Sequence, residues 1–287
     1  MTVPEGSFGR RLQQAVAEHG RVVAGIDPHA SLLEAWGLPD TPAGLREFSR
    51  IILAAVTGRV AAIKPQSAFF ERHGSAGVAV LEELLQDARE ARVLTILDVK
   101  RGDIGSTMAA YADAHLRPGA PLEADAITVS PFLGTGSLDP AVRLAIEHGK
   151  GLFLLALTSN PDGPQVQHAV TAADTPVARE IARHAETVGA AGPGEWSSVG
   201  LVVGATVGDS YRRLGLDRVA PSVPLLAPGF GAQGAGPAQM REVFGENAGH
   251  VVVSLSRGLL GAGPDADSLS RRAEQLRAEY DVPSDAS

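Results

Sequence analysis

The sequence predicts an α/β fold, a single-domain (β/α)8 TIM barrel of eight parallel strands with helices between them. Eight short β-branched or aliphatic runs recur along the 287 residues. Most of these runs are continuously apolar, which is typical of parallel strands buried on both faces. Alanine-rich segments with helical periodicity separate them, and eight such units in one chain match a closed barrel.

The strand and helix predictions alternate along the chain. The predicted strands cover residues 22–26, 60–63, 93–97, 126–129, 152–157, 200–203, 224–226 and 251–255. The main predicted helices cover residues 42–56, 75–91, 106–115, 137–148, 175–188, 239–244 and 267–280. An open, doubly wound sheet is the alternative, but no Gly-x-Gly-x-x-Gly motif follows the first strand, where a dinucleotide-binding fold carries it.

Two irregular segments interrupt this alternation. The polar residues 159–174 follow the fifth strand, and the glycine-rich residues 189–198 precede the sixth. In a barrel the first segment lies on the catalytic face, where it could form a lid, and the second lies on the opposite face. We expect the second segment to be structural.

Composition narrows the classes of function. No stretch approaches the roughly 18 apolar residues of a membrane helix, and the first residues lack the apolar centre of a signal peptide. The absence of cysteine excludes disulfides and cysteine-ligated metals and favours a cytoplasmic location. The net charge of −8 and the scattered basic residues argue against nucleic acid as a partner. The histidines lack metal-ligand spacing, so no metal site is expected.

Charged side chains gather at the ends of neighbouring predicted strands, where barrel enzymes place their chemistry. Asp98 and Lys100 are two residues apart, so their side chains leave the strand on the same face. Lys64 ends the preceding strand, and Asp103 follows in a loop. Only three of the 25 basic residues are lysine, and two stand here, which suggests a need for an ammonium that arginine cannot replace. A structural salt-bridge network is the alternative.

A second group of residues is typical of phosphate binding. Residues 227–236, APGFGAQGAG, follow the seventh strand, and residues 254–260, SLSRGLL, include the end of the eighth. Small residues let backbone N–H groups approach an anion, and Arg257 can pair with phosphate through two hydrogen bonds. Barrels often bind phosphate between these two loops.

These motifs together resemble the orotidine 5′-phosphate decarboxylase family. DVKRGDIGST (98–107) is similar to the central motif of its longer bacterial subgroup, type 2. IDPH (26–29), IKPQ (63–66), LTSNP (157–161), PGFGAQG (228–234) and SRG (256–258) stand in the family's order. The resemblance runs from the first strand to the eighth, and on it we interpret residues 1–287 as one barrel domain of this family.

The resemblance implies decarboxylation of orotidine 5′-monophosphate to uridine 5′-monophosphate and CO2, the last step of UMP biosynthesis, with no metal or organic cofactor. It implies that Lys100 donates a proton to the carbon that loses its carboxylate and that Asp98 lies against the departing group. By the same resemblance, we expect Lys64 and Asp103 to complete a charged tetrad, with Asp103 contributed by the other subunit of a homodimer.

The resemblance also implies which residues hold the substrate. They are the ribose contacts Asp27 and Lys64, the pyrimidine contact Ser159, the phosphate contacts Gln233 and Arg257, and Ile104 and Thr107, which cross the subunit boundary with Asp103. The positions after the fifth strand vary between subgroups. A contact from Asn160 to the base or to its carboxylate is therefore a hypothesis.

Two other functions remain open. One is a magnesium-dependent decarboxylase of the same suprafamily that acts on a sugar phosphate and shares the Asp-x-Lys-x-x-Asp pattern. Such enzymes use additional acidic ligands, whereas Lys64 is followed by Pro65 and Gln66. The other is a catalytically silent barrel that binds a phosphorylated ligand, which we would expect to lack a member of the tetrad.

Overall fold

The computed structural model describes residues 6–189, 191–231 and 234–281, and its centre is a closed barrel of eight parallel strands. The strands are β1 (Val22–Ile26), β2 (Ala62–Pro65), β3 (Ile96–Arg101), β4 (Ala126–Val129), β5 (Gly151–Leu157), β6 (Val199–Val203), β7 (Leu225–Pro228) and β8 (Val251–Leu255). Their hydrogen-bonded order is β2-β1-β8-β7-β6-β5-β4-β3. Parallel bridges from Ile63 to Thr95 and from Gln66 to Asp98 join β2 to β3. This closure confirms the predicted barrel and excludes the open sheet.

Helices connect the strands on the outside of the barrel. They are α1 (Phe8–His19), α2 (Ala30–Ala35), α3 (Pro42–Val56), α4 (Ala68–Glu71), α5 (Gly74–Glu90), α6 (Gly105–Leu116), α7 (Asp139–Glu147), α8 (Pro164–Gln167), α9 (Val177–Val188), α10 (Ser210–Arg213), α11 (Pro237–Phe244), α12 (Arg257–Leu260) and α13 (Ala266–Tyr280). Short 3-10 turns cover Thr135–Leu138, Leu216–Arg218 and Gly245–His250. Within the described ranges, no helix has the length and apolar character needed to cross a membrane.

The apolar core has two layers. The outer layer packs between the strands and the helices, and the inner layer fills the amino-terminal end of the barrel. Helix α1 covers that end, where the fully buried Phe8 meets Phe153 edge to face, with ring centroids 6.0 Å apart. A Cβ at Gly151 would lie 2.1 Å from the Phe8 ring, so glycine permits this approach. The polar side chains of the inner face are therefore concentrated at the opposite end.

Helix α3 shows how the sequence specifies the outer layer. The Thr41 hydroxyl accepts a hydrogen bond from the N–H of Gly44 at 3.4 Å and caps the first turn. Apolar side chains then recur three or four residues apart and are fully buried, namely Leu45, Phe48 and Ile52. This spacing places them on one face, which packs on the barrel.

The structure corrects the predicted bounds of three strands. β2 covers Ala62–Pro65 rather than 60–63, β3 covers Ile96–Arg101 rather than 93–97, and β7 covers Leu225–Pro228 rather than 224–226. All three extend further towards the carboxyl-terminal end of the barrel, where Lys64 of β2 and Lys100 of β3 contact Asp98. Helix α1, which closes the other end, is absent from the predicted helices.

The two irregular segments lie where the sequence predicts. The segment after β5 contains α8 and an antiparallel bridge between Val170 and Pro176. The described part of residues 189–198 contacts α1, since the Gln13 amide donates to the Gly194 carbonyl at 3.1 Å and accepts from the Trp196 N–H at 3.2 Å. These contacts support a structural role for the second segment.

Candidate active site

Two lysine ammonium groups flank the Asp98 carboxylate at the carboxyl-terminal end of the barrel. Lys64 Nζ, from β2, lies 3.2 Å from Asp98 Oδ2. Lys100 Nζ, from β3, lies 2.6 Å from Asp98 Oδ1. The Lys64 and Asp98 side chains are almost completely buried, whereas the Lys100 side chain is 46% exposed. The Lys100 ammonium is therefore the more accessible of the two to a ligand at the barrel mouth.

An irregularity in β3 sets the geometry of this cluster. Leu97 pairs with Ile127 and Arg101 pairs with Val129, so residues 98–100 stand opposite a single residue of β4, Thr128. Such a bulge bends the strand and redirects side chains. Within it Lys100 adopts φ +46°, a left-handed conformation that is uncommon for a residue with a Cβ.

Two polar side chains complete the coordination of Asp98. The Thr128 hydroxyl donates to Asp98 Oδ1 at 2.7 Å. The Gln66 amide, in the orientation that satisfies both of its partners, donates to Asp98 Oδ2 at 3.1 Å and to the Asp98 carbonyl at 2.7 Å. Asp98 is thus held by four donor side chains, and its rotamer is fixed.

The charges in the cluster stabilise one another. Burial alone would raise the pKa of Asp98, but Lys64, Lys100 and the Thr128 hydrogen bond lower that pKa to about 2. Burial disfavours the charged form of Lys64, yet the carboxylates of Asp98 and Asp27 outweigh it and raise the Lys64 pKa. At neutral pH Asp98 is therefore an anion and Lys64 a cation.

A cavity of about 640 Å³ opens beside the cluster. Lys64 lines it, as do side chains that follow the neighbouring strands β1, β7 and β8, among them Asp27, His29, Ser256 and Arg257. Asp27 Oδ1 is 4.0 Å from Lys64 Nζ. Asp27 Oδ1 and Ser256 Oγ are both buried and have no hydrogen-bond partner in the described chain. Such atoms indicate a surface built to receive a polar ligand.

Residues after β7 and β8 that line the cavity carry the predicted phosphate-binding features. Arg257 opens the short helix α12 after β8, is exposed, and makes no side-chain hydrogen bond with the described residues. The loop after β7 turns through Gly229 at φ +108° and Gly231 at φ +71°, which glycine adopts without strain. Gln233, the second predicted phosphate contact, lies outside the described residues.

Asp103 does not join the cluster of its own chain. Asp103 Oδ1 accepts a hydrogen bond from the backbone N–H of Ile104 at 2.8 Å, and no ion pair to it forms among the described residues. Ile104 is 61% exposed, and Thr107 lies exposed in the first turn of α6. The structure therefore brings together Lys64, Asp98 and Lys100. It leaves Asp103, Ile104 and Thr107 outside this cluster, at the rim of the barrel.

The predicted base contacts lie after β5. Ser159 and Asn160 are both exposed. The Asn160 amide oxygen accepts a hydrogen bond from the Thr158 hydroxyl at 2.6 Å. The Gln167 amide of α8 also holds Thr158, accepting from its N–H at 2.9 Å and donating to its hydroxyl at 2.7 Å. The segment after β5 is thus linked to the strand end that carries Ser159.

Sequence reasoning missed Thr128 and Gln66. Thr128 stands within an apolar strand, and Gln66 lies one residue beyond the end of β2, where it forms a bridge to Asp98. A polar residue inside the run Ala126–Val129 was the available signal, since an interior hydroxyl needs a partner. The third lysine, Lys150, lies elsewhere in a buried ion pair with Glu123 at 2.7 Å.

Comparison with known proteins gives consistent matches over nearly the whole chain. Residues 12–271 match the model of the orotidine 5′-phosphate decarboxylase / HUMPS family. An orotidine 5′-phosphate decarboxylase of Streptomyces coelicolor is 54% identical over 95% of this chain and 96% of its own length, and one of Salinispora arenicola is 51% identical over the same shares. The crystal structure of a putative orotidine 5′-phosphate decarboxylase from Streptomyces avermitilis is 53% identical, with a TM-score of 0.91 over 96% of this chain and 95% of that one.

Proposed function

The chain belongs to the orotidine 5′-phosphate decarboxylase / HUMPS family, and we propose that it converts orotidine 5′-monophosphate to uridine 5′-monophosphate and CO2. It is thus a carboxy-lyase of pyrimidine biosynthesis. One observation carries the proposal. An exposed ammonium, Lys100, is held against a buried carboxylate, and the Lys64 ammonium that also contacts this carboxylate lines a cavity together with Arg257.

The reaction needs a proton donor at the carbon that loses its carboxylate. The C–C bond to the carboxylate breaks, its electron pair remains on the pyrimidine carbon, and CO2 leaves. An N–H bond of the Lys100 ammonium then breaks, and its proton forms the new C–H bond. Lys100 recovers a proton from solvent. An ammonium fixed in place stabilises the negative charge that develops on the carbon and then protonates that carbon.

Asp98 fixes the electrostatic field in which this happens. Its carboxylate contacts both ammonium groups, and the donors around it leave it little freedom to move. We assign catalysis mainly to this preorganised arrangement, which needs no reorientation of charge during the reaction. Repulsion between Asp98 and the substrate carboxylate would add to it, because both are anions.

The cavity fits the remaining parts of a nucleotide. We assign the ribose hydroxyls to Asp27 and Lys64, whose side chains line the cavity nearest the cluster. Arg257 and Gln233 would bind the phosphate, and Ser159 and Asn160 would contact the pyrimidine. Each charge-assisted hydrogen bond to the phosphate is worth roughly 1.5–3 kcal/mol. This remote binding energy can hold the base against Lys100.

A homodimer would complete the site. Asp103 makes no ion pair within the described part of its own chain, and Ile104 and Thr107 are exposed beside it. Large apolar side chains are exposed in the loops after the neighbouring strands β3 and β4, namely Ile104, Phe132 and Leu133. Phe132 is 75% exposed. Exposed apolar patches of this kind mark protein–protein contacts, and a symmetric dimer would deliver Asp103 to the second site.

We further propose that the reaction needs no metal or organic cofactor. Two ammonium groups flank Asp98 and would repel a divalent cation. The described residues contain no group of three or more His, Cys, Asp or Glu side chains that could hold a metal ion. The magnesium-dependent alternative requires such additional acidic ligands.

The test is turnover of orotidine 5′-monophosphate by the purified chain in excess EDTA, followed by the change in pyrimidine absorbance. We expect full activity in EDTA and its loss in Lys100→Ala and Asp98→Asn. Arg143→Ala, which alters an exposed residue of α7, is the matched control and should keep wild-type activity. Folded wild-type protein that leaves the substrate unchanged would refute the proposal. Activity on a sugar phosphate that EDTA abolishes would support the magnesium-dependent alternative.

A further inference from the structure

Thr128 occupies the position opposite the β3 bulge. Its side chain is buried inside the barrel, and its hydroxyl makes two hydrogen bonds to the bulged residues. It donates to Asp98 Oδ1 at 2.7 Å and accepts from the backbone N–H of Lys100 at 3.0 Å. The same Asp98 oxygen receives the Lys100 ammonium at 2.6 Å. One hydroxyl therefore contacts both residues of the proposed proton-donating pair.

The direction of these bonds is fixed by chemistry. A hydroxyl has one proton to donate, an ionised carboxylate can only accept, and a backbone N–H can only donate. The Thr128 proton must therefore point at Asp98, and its lone pair must face Lys100. The bulge leaves the Lys100 N–H without a partner in the β3–β4 ladder, and the Thr128 hydroxyl takes the place of that partner. Regular pairing resumes at Arg101, whose carbonyl accepts from the Ser130 N–H at 2.7 Å.

We infer that Thr128 is a positioning residue for the decarboxylation, which holds the backbone of Lys100 in its left-handed conformation and Asp98 in the rotamer that receives the ammonium. The effect of Thr128 on catalysis rests on the proposed function. Its effect on the conformations of Lys100 and Asp98 rests on the hydrogen bonds alone. Thr128 need not touch substrate, because it acts through the two residues that do.

Threonine suits this position better than other residues. Its two substituents on Cβ restrict χ1, so the hydroxyl is held in one orientation. Valine has the same shape but would leave the Lys100 N–H unpaired and remove one donor from Asp98. Serine keeps the hydroxyl but loses the restriction. The pair Thr128→Val and Thr128→Ser therefore separates the hydrogen bonds from the packing.

Thr95 provides a matched control. It is also a fully buried threonine, its hydroxyl accepts from the Asp125 N–H at 3.0 Å, and it precedes β3 at the other end of the barrel. Thr95→Val removes comparable hydrogen bonds without reaching Lys100 or Asp98. It should lower the melting temperature and leave kcat unchanged.

The experiment combines kinetics, binding and crystal structures of these three variants. We expect Thr128→Val to lower kcat by about 10- to 100-fold, as the loss of hydrogen bonds to a charged site predicts. KM and the Kd for uridine 5′-monophosphate should change by less than about threefold, because the phosphate and ribose contacts remain. Thr128→Ser should recover kcat to within about fivefold of wild type. In the Thr128→Val crystal structure, the Lys100 ammonium should leave Asp98 or the Lys100 φ should become negative.

A Thr128→Val protein with wild-type kcat and an unchanged Lys100 geometry would overturn the inference. So would a loss of kcat of the same size in Thr95→Val, which would show a general effect of stability. A wild-type protein inactive on orotidine 5′-monophosphate would instead overturn the proposed function. In that case the Lys100 geometry in the crystal structures would still decide whether Thr128 holds it.

Discussion

The Asp103 carboxylate accepts a hydrogen bond from the backbone N–H of Ile104, 2.8 Å away, instead of facing a lysine. Within the described residues of one chain, Asp98 contacts both ammonium groups and Asp27 lies 4.0 Å from that of Lys64, so Asp98 is the one carboxylate that the exposed Lys100 ammonium contacts. A carboxylate from another subunit would give Lys100 a second anionic partner. This arrangement predicts that complete sites exist only between subunits.

Mixing two inactive variants tests this sharing. Lys100→Ala and Asp103→Ala should each be nearly inactive. In a hybrid dimer one site would carry both substitutions and the other would carry neither. Random exchange at equal concentrations should then restore about a quarter of wild-type activity, because half of the dimers are hybrids with one intact site each. Turnover and native mass spectrometry of the same mixture provide the measurement.

The control for this mixture is the Lys100→Ala, Asp103→Ala double variant mixed with Lys100→Ala. No dimer in that mixture has an intact site, so no activity should return. Hybrid dimers that are visible by mass spectrometry but inactive in the first mixture would contradict the placement of Asp103 across the interface.

Arg257 should act through the phosphate of the substrate. Arg257→Ala should lower kcat/KM by about 10- to 150-fold, which corresponds to the loss of roughly 1.5–3 kcal/mol of charge-assisted hydrogen bonding. Arg143→Ala is the control, since Arg143 is an exposed arginine of α7 that does not line the cavity. The comparison uses the nucleotide and the corresponding nucleoside, which has no phosphate. If Arg257→Ala impaired both substrates equally, Arg257 would not bind phosphate.

The sequence predicted the parts of the site that follow from strand order. Lys64, Asp98 and Lys100 stand at the ends of neighbouring strands, so barrel geometry alone brings their charges together. The bulge opposite Thr128 could not be predicted, because it depends on the register of β3 against β4, which no local pattern encodes.

The scarcity of lysine was a partial guide to function. It correctly drew attention to Lys64 and Lys100, but it applied equally to Lys150, whose ammonium lies in a buried ion pair with Glu123. Composition cannot distinguish the active-site cluster from the buried Lys150–Glu123 pair, because both need a lysine and the contacts that differ form only in the folded chain.

The Lys150–Glu123 pair should contribute to stability rather than to catalysis. Lys150→Met leaves the buried Glu123 carboxylate with only the more distant Arg89 guanidinium, 4.0 Å away, which should lower the free energy of unfolding by about 3 kcal/mol. Adding Glu123→Gln should recover most of that loss, because the amide oxygen can still accept the Gly119 N–H that Glu123 holds at 2.7 Å. Chemical denaturation of the single and double variants measures both values.

A surface ion pair provides the comparison. Arg117 and Asp113 form an exposed pair, with side chains 59% and 43% accessible, and Arg117→Ala should cost less than about 1 kcal/mol. Equal effects of Lys150→Met and Arg117→Ala would contradict the argument from burial. The folded fraction of Lys150→Met should keep wild-type kcat.

His115 should make stability depend on pH in the mildly acidic range. Burial in α6, assisted by the nearby Arg101 guanidinium, lowers the pKa of His115 from 6.5 to about 4, although Glu71 and a hydrogen bond to the Leu122 backbone oppose the shift. The unfolded chain therefore binds this proton more tightly than the folded chain. Its contribution to stability is complete above pH 6.5 and is lost as the pH falls towards 4.

The expected size of this effect is about 3 kcal/mol at pH 4, from the difference between the two pKa values. Urea denaturation at fixed protein concentration between pH 7.5 and 4 should show it in wild type and show a flatter profile in His115→Gln. His250→Gln is the control, because His250 is also buried with a lowered pKa but lies beside Arg21 at the start of β8. It should remove only its own contribution and leave that of His115. A His115→Gln profile parallel to that of wild type would show that His115 does not titrate between the folded and unfolded states as its burial requires.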